Sequence, residues 1–472
     1  MLYNKSISFF SLILFILLSS CSLSKGPVSK TSPWEIGKEG WIMRTELNSN
    51  NPEKFFAIGT WHVPGYIFST SPDSTTQLYE ANALLFEEKT APFNMVFVSS
   101  GYQKDYMTDK THIINPFSPI LHAFLDSVTF LPKDADKDYY RIQYIKEKVD
   151  SPEFEEYLDK EIKKVLETLP NDKYIYSHID EIALGGVSKW AVPPTVGAKI
   201  NESIKKHDKD ALVFVDLLGH ARGSTYFFEQ RYLQTHTSLP KDPPYEELSQ
   251  EARECKLPLL GFYEAYDGSS VYDFKDGSYG YKNNDIETLK AIWFENTKLI
   301  AKGYKNSGDV FGINAFRDFS AYPILAGVTV DALRAGLGSE TPIWLYFDGN
   351  GYAKGPSETT GAYVENVMSQ IYTAIIHGAT GILFWNDWSK TPEVFDVLVP
   401  QLKVLNENLQ IIKLKTVEKI INNDLHIMIK ENSKGERFII ASNSSKTETL
   451  ILNVPTVEKR ELLPLEVYVS AI

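Results

Sequence analysis

The chain has 472 residues, 43% hydrophobic and 23% charged, the make-up of an ordinary globular protein with room for a large core. Its formal net charge of -13 excludes a broad basic footprint for nucleic acid. It also disfavours strongly sulfated or carboxylated ligands, unless a local basic pocket overrides the global field.

The N-terminus carries the first specific signal. Lys5 precedes a nearly unbroken apolar run over residues 7–18, too short to span a bilayer comfortably. Leu18-Ser19-Ser20-Cys21 follows and resembles the bacterial lipobox. That resemblance implies a signal peptide over residues 1–20 and a lipidated Cys21 as the mature N-terminus. Such a protein sits in the cell envelope of a bacterium, on its outer membrane, held by the lipid anchor alone. Residues 21–50 read as a tether and lead-in. Cys255 is then the one remaining cysteine, a structural thiol, so the mature chain has neither a disulfide nor a cysteine metal cluster.

From residue 51 onward, short apolar runs alternate with amphipathic helices. Strands are expected at 55–60, 95–99, 174–179, 211–216, 257–263, 310–314, 343–347 and 381–385. Unbroken apolar runs of this kind belong to strands buried on both faces, as in parallel sheets. The helix in 151-SPEFEEYLDKEIKKVLETLP-170 places Phe154, Leu158, Ile162, Val165 and Leu169 on one face, with Ser151 as cap and Pro152 in the first turn. A second helix runs over 362–376 and closes at Gly378; others are expected over 285–302 and 392–405. Eight strands alternating with helices predict an α/β fold, a (β/α)8 TIM barrel over residues 51–412. Some seventy residues separate the second and third runs, enough to hide another strand near 112-THIINPFSPI-121. With that strand counted, residues 174–179 form the fourth strand and one later run becomes a loop.

The pattern changes near residue 413. Leu425-His-Ile-Met-Ile alternates, Lys434-Gly435 turns the chain, and further short alternating runs follow. This predicts a small antiparallel, β-sandwich-like domain over residues 413–472.

In a (β/α)8 barrel the active site lies at the carboxyl ends of the strands. The polar and aromatic residues that end the apolar runs are Trp61 and His62; His178, Asp180 and Glu181; Asp216 and His220; Glu264 and Asp267; Arg317 and Asp318; Asp348 and Asn350; and Trp385, Asn386, Asp387 and Trp388. Carboxylates and aromatics dominate, and aromatic faces suit sugar rings. Paired carboxylates are what acetal hydrolysis needs: one gives a proton to the leaving oxygen, the other attacks the anomeric carbon or activates water. Glu181 beside Asp180 at an apolar strand end fits a carboxylic acid of raised pKa. Asp216 and the Arg317–Asp318 pair read as structural.

At this point the pattern resembles the clan of retaining glycoside hydrolases built on (β/α)8 barrels, clan A. His178-Ile-Asp-Glu181 is similar to the strand-four acid/base motif of that clan, with Asp180 where the clan has Asn. The segment 378-GATGILFWNDW-388 is similar to its strand eight and maps the sugar-platform Trp onto Trp385. The tail is similar to the small β domain that follows many such barrels. The resemblance implies Glu181 as general acid/base. The strand-seven segment 342-PIWLYFDGNG-351 offers Asp348 where the clan has its nucleophilic Glu, and the other acid available is Glu264. Trp61, His62, His178, Asp180, Asn350, Trp385, Asp387 and Trp388 are the expected substrate contacts, with a poly- or oligosaccharide as partner and no cofactor. A sugar-binding barrel without catalysis, serving glycan uptake, is the alternative. A metal-dependent hydrolase would want several His ligands after strand one, where His62 stands alone.

Overall fold

The computed structural model describes residues 33–45, 51–61, 91–98, 110–115, 151–168, 174–178, 194–218, 286–385, 391–455 and 457–472, with a few positions between 117 and 124. The lead-in is itself built into the fold. Strands β1 (Trp34–Ile36), β2 (Ile42–Arg44) and β3 (Glu53–Phe55) form a three-stranded antiparallel sheet. Glu39 and Gly40 make the turn between β1 and β2 at positive φ, 59° and 72°. Trp34, Ile42 and Phe55 from this sheet join the core that fills the barrel.

The barrel closes from eight parallel strands. They are β4 (Ala57–Thr60), β5 (Met95–Val98), β6 (Thr111–Ile114), β7 (Tyr174–Ser177), β8 (Val213–Leu218), β9 (Val310–Asn314), β10 (Trp344–Asp348) and β11 (Gly381–Trp385). The strand hidden near residue 112 is therefore real, and β7 is the fourth strand. The run at 257–263 lies outside the described residues. Alternation explains why these strands read as continuous apolar runs. Ala57, Met95, Ile113, Ile175, Phe214, Val310, Trp344 and Leu383 fill the interior. Ile58, Val96, Tyr176, Val215, Phe311, Leu345, Phe347 and Phe384 belong to the layer beneath the helices. Gly381 on the neighbouring strand β11 makes room for the large interior side chain Trp344, since a Cβ there would collide with its ring; a Cβ at Gly312 of β9 would collide with the Trp344 carbonyl oxygen and the Phe214 ring.

The α-helices with described bounds are α1 (Pro152–Thr168), α2 (Pro194–His207), α3 (Ile286–Tyr304), α4 (Phe316–Ala321), α5 (Ile324–Leu337), α6 (Thr360–His377) and α7 (Pro392–Ile412). In α1 the cap is the expected one, with Ser151 Oγ accepting the Phe154 N–H at 3.3 Å. Its buried stripe is Phe154, Leu158, Ile162 and Leu166. Helix α7 continues seven residues past its expected end because Leu405, Leu409 and Ile412 prolong the buried face. Helix α6 is capped by Thr359 Oγ1 and ends at Gly378, φ 115°, whose N–H reaches Ala374 O and Ile375 O.

The tail is the antiparallel domain expected. Strands β12 (Lys415–Asn422), β13 (Leu425–Glu431), β14 (Arg437–Asn443) and β17 (Val467–Ala471) form one sheet, and β15 (Leu450–Leu452) with β16 (Arg460–Leu462) forms a ribbon. Ile427, Ile429, Ile439, Ala441, Leu452, Val454 and Leu462 make its own core. The other face lies on α6, which is why that helix is buried nearly all round. The polar groups trapped there are paired. Ser369 Oγ donates to Asn443 O at 3.0 Å, and the Thr373 and Ser442 hydroxyls are 3.2 Å apart. Asp331 Oδ2 meets His377 Nδ1 at 2.7 Å, and His377 Nε2 lies 3.0 Å from His426 Nδ1. His426 Nε2 lies 3.0 Å from Ser444 Oγ, which donates to Asp424 Oδ1 at 2.9 Å.

Two buried imidazoles, His178 and His426, make the fold sensitive to acid. His178 follows β7, is fully buried, and donates through Nε2 to Gly197 O of α2 at 3.1 Å. Burial pushes it down from 6.5 to about 4. Burial, and then the charge of His377, hold His426 well below its ordinary value. Above pH 6.5 these rings are neutral in both folded and unfolded chains. Below it the unfolded chain takes up protons that the folded chain refuses, so stability falls as pH drops from 6.5 towards 4. For His178 alone the loss is about 3 kcal/mol. Urea unfolding at pH 7 and pH 4.5 measures it. His178→Gln, which keeps a donor for Gly197 O, is expected to flatten that pH dependence, and an unchanged slope would contradict the assignment.

Candidate active site

The carboxyl end of the barrel presents an aromatic floor. Trp61 directly follows β4 and donates its N–H to Phe384 O of β11 at 2.9 Å, which seats it beside the end of that strand. Its ring packs on Phe97 at 4.4 Å between centroids. Phe97 reaches Tyr346 at 5.8 Å, and Tyr346 reaches Phe214 at 5.9 Å. Each of these three follows an interior residue by two positions (Met95, Trp344 and Leu212), so strand parity alone aims them inward. Trp385 ends β11 and is half-buried. Phe316 of α4 stacks on it at 5.5 Å and an interplanar angle of 12°. Tyr352, 45% exposed, meets it edge-on at 5.6 Å. The Arg317 guanidinium lies 4.3 Å from the Tyr352 ring centroid.

The polar groups on the same inward faces are Ser177 of β7, Asp216 of β8 and Asn314 of β9. Asp216 shares the face of Phe214, and Asn314 that of Val310. Asn314 Nδ2 approaches Asp216 Oδ2 at 3.4 Å. Asp216, read from sequence as part of a structural pair, is thus an almost fully buried carboxylate in the barrel mouth.

Asp348 ends β10 as expected, yet its carboxylate is committed to the loop that follows. Oδ1 accepts the Asn350 N–H at 2.8 Å. Oδ2 accepts the Ala353 N–H at 2.7 Å and the Tyr363 hydroxyl of α6 at 2.6 Å. The residue is 3% exposed. Burial raises its pKa against the opposing pull of these donors, and burial together with the Asp348 charge pushes Tyr363 well up. With hydrogen bonds to both oxygens, Asp348 organises residues 348–353. These bonds give Asp348, expected from sequence as a candidate catalytic carboxylate, a role in holding the loop after β10. Asn350 enters the same motif through its backbone N–H.

His178 sits away from the place the sequence suggests. Residues of β7 alternate, Ile175 faces the interior, and His178 therefore falls on the helix side, where it is sealed under α2. It is not a substrate contact. Of the expected contacts, Trp61 and Trp385 lie together at the floor. Glu181, Glu264, His62, Asp180, Asp387, Trp388 and Cys21 lie outside the described residues. Phe97, Tyr346, Phe316 and Tyr352 were not expected. Parity points to the first two; the others sit on a six-residue helix and a loop, where no periodicity marks them. Among the described residues no three His, Cys, Asp or Glu side chains cluster as metal ligands, and no helix is long and apolar enough to cross a membrane.

The described architecture is a (β/α)8 barrel with an aromatic-lined mouth and an antiparallel β domain after it. No protein-family model matches the chain, and no curated protein matches it. Among solved structures it is similar to an α-amylase from Anoxybacillus, at 10% identity and a TM-score of 0.42, over 88% of this chain and 97% of that one. It is similar to the α-amylase from Geobacillus thermoleovorans complexed with acarbose, at 13% identity and 0.41, over 88% and 97%. A family 39 glycoside hydrolase from Bacteroides cellulosilyticus gives 9% identity and 0.39, over 88% and 79%.

Proposed function

We propose that the protein is a glycoside hydrolase of the bacterial cell envelope that cleaves a poly- or oligosaccharide, tethered to the membrane through a lipid on Cys21. The observation that carries this reading is the pair of partly exposed indoles at the barrel mouth, Trp61 and Trp385, backed by the buried rings of Phe97 and Tyr346, with Phe316 and the exposed Tyr352 against Trp385. Flat apolar faces of sugar rings stack on such surfaces, while the polar rim takes the hydroxyls. The rank of β7 as the fourth strand supports Glu181 as the acid/base, because His178-Ile-Asp-Glu181 directly follows its carboxyl end in the sequence. In this mechanism Glu181 protonates the glycosidic oxygen as the bond to the anomeric carbon breaks. With Asp348 bound into its loop, Glu264 supplies the second carboxylate. Hydrolysis of a panel of neutral and acidic glycans, followed by reducing-end release, tests the proposal. Trp385→Ala is expected to raise KM by about two- to tenfold on the substrate that is cleaved, in keeping with about 0.5–1.5 kcal/mol per aromatic contact.

A second reading, a sugar-binding barrel without catalysis, is favoured by one observation, the engagement of both Asp348 oxygens. Binding of a glycan by the wild type without release of reducing ends would select it. The anchor has its own test. Cys21→Ser is expected to move the protein from the membrane fraction to the soluble fraction, and retention in the membrane would contradict lipidation at Cys21.

A further inference from the structure

At the amino end of the barrel, where Thr380 precedes β11, lies a cavity of about 390 Å³ walled by α5, α6, β12, β13 and the turn between β1 and β2. The carboxylates on its walls, Glu39, Asp331 and Glu340, belong to exposed residues. Lys430, which also lines it, is 4% exposed. It lies on β13 two residues after Met428, on the face that packs against the barrel. Its Nζ donates to Leu414 O at 3.1 Å and to Thr416 Oγ1 at 2.9 Å. No carboxylate among the described residues pairs with it. Two acceptors match the two N–H groups of a neutral amine, whose lone pair is left for the cavity. An ammonium would carry a third N–H without an acceptor. Electrostatics points the same way. Burial lowers the Lys430 amine from 10.5 to about 7; the Lys54 and Lys419 ammoniums push in the same direction, and Glu39 opposes them.

We infer that Lys430 is a covalent modification site, whose amine takes up carbon dioxide within the cavity and is held there as a carbamate. The Nζ lone pair attacks the carbon. An N–C bond forms as one C–O π pair withdraws onto oxygen, and one amine proton passes to solvent. Amine and carbon dioxide thus give a carbamate and a proton, with nothing oxidised or reduced. A solvated lysine is almost wholly ammonium at neutral pH and has no lone pair to offer. The product is an anion, and its surroundings suit one. Lys54 donates to Lys413 O at 2.9 Å, Lys419 to His377 O at 3.2 Å and Arg334 to Gly378 O at 2.6 Å, so these cations end on backbone carbonyls. A carbamate gives them an oxyanion nearby. The N–H that remains on Lys430 keeps Leu414 O. The Thr416 hydroxyl, whose proton is directed at the weak acceptor Met428 Sδ at 3.6 Å, turns to the new oxygen. A sugar aldehyde would form a neutral or cationic imine instead, which gains nothing from these cations.

The test is chemical trapping on the full-length wild-type protein, equilibrated near neutral pH with ¹³C-bicarbonate as the source of dissolved carbon dioxide. Triethyloxonium ion converts a carbamate into a stable ethyl carbamate, which peptide mass spectrometry then locates. The labelled group is expected on Lys430 at an occupancy at least about tenfold above the median of the other lysines, because its neutral fraction exceeds theirs by a larger factor. Thr416→Val, which removes the hydroxyl that turns to the carbamate, is expected to lower that occupancy by about threefold or more, with thermal melting as the check that the variant is folded. The wild-type measurement needs no variant. A Lys430 peptide without label, or labelled no more than exposed lysines, overturns the assignment and leaves the proposed glycoside hydrolase untouched.

Discussion

Glu181→Gln is expected to lower kcat by about 10²–10⁴-fold on any substrate with a poor leaving group, with KM little changed. The amide keeps the volume and the hydrogen-bonding reach of the acid but has no proton to give to the departing oxygen. The loss therefore concentrates in the step that needs it. Substrates whose leaving group departs unprotonated, such as an activated aryl glycoside, are expected to lose far less. That difference separates an acid/base from a residue whose loss merely disturbs the fold. Full activity of Glu181→Gln on a natural glycan would remove Glu181 from the mechanism.

Asp348→Ala is expected to be the most destabilising single change in the barrel mouth, by about 3–5 kcal/mol. It strands three donors in a dry environment, the N–H groups of Asn350 and Ala353 and the Tyr363 hydroxyl. It also frees the loop that carries Tyr352, and with it the edge contact to Trp385 and the seat of Arg317. Asp348→Asn keeps one oxygen and is expected to cost less stability while retaining measurable turnover. A variant Asp348→Asn that melts like the wild type but has lost three or more orders of magnitude in kcat would instead make Asp348 the second catalytic carboxylate. Thermal melting and kinetics on the same preparation decide between the two outcomes.

Much of the fold is written in local patterns. The runs at 310–314 and 381–385 match β9 and β11 residue for residue, because buried parallel strands leave a continuous apolar signature bounded by polar residues or glycine. The run at 55–60 is in fact two strands meeting at Phe56, one in the antiparallel sheet and one in the barrel. An unbroken apolar run carries no mark of a change of sheet. The hairpin of β1 and β2 was missed because three-residue strands are too short to show a period. The site is legible to the extent that parity reaches. Trp61 and Trp385 stand at the strand ends where the sequence puts them, and counting from Ile175 turns His178 to the helix side. The engagement of Asp348 was not legible. Its partner Tyr363 is fifteen residues away on α6, and only the tertiary fold brings the hydroxyl to the carboxylate. Nor does sequence reveal that Lys446, in the β domain, lines a cavity with Arg317 of the barrel.

The decisive measurement is time-resolved ¹H NMR of the anomeric region while the wild-type protein acts on a glycan that it binds. Hydrolysis by a carboxylate pair predicts the growth of free reducing-end signals, appearing first as a single anomer before mutarotation mixes them. A glycan whose signals broaden on binding while no new anomeric proton appears over many hours would contradict catalysis at this barrel mouth.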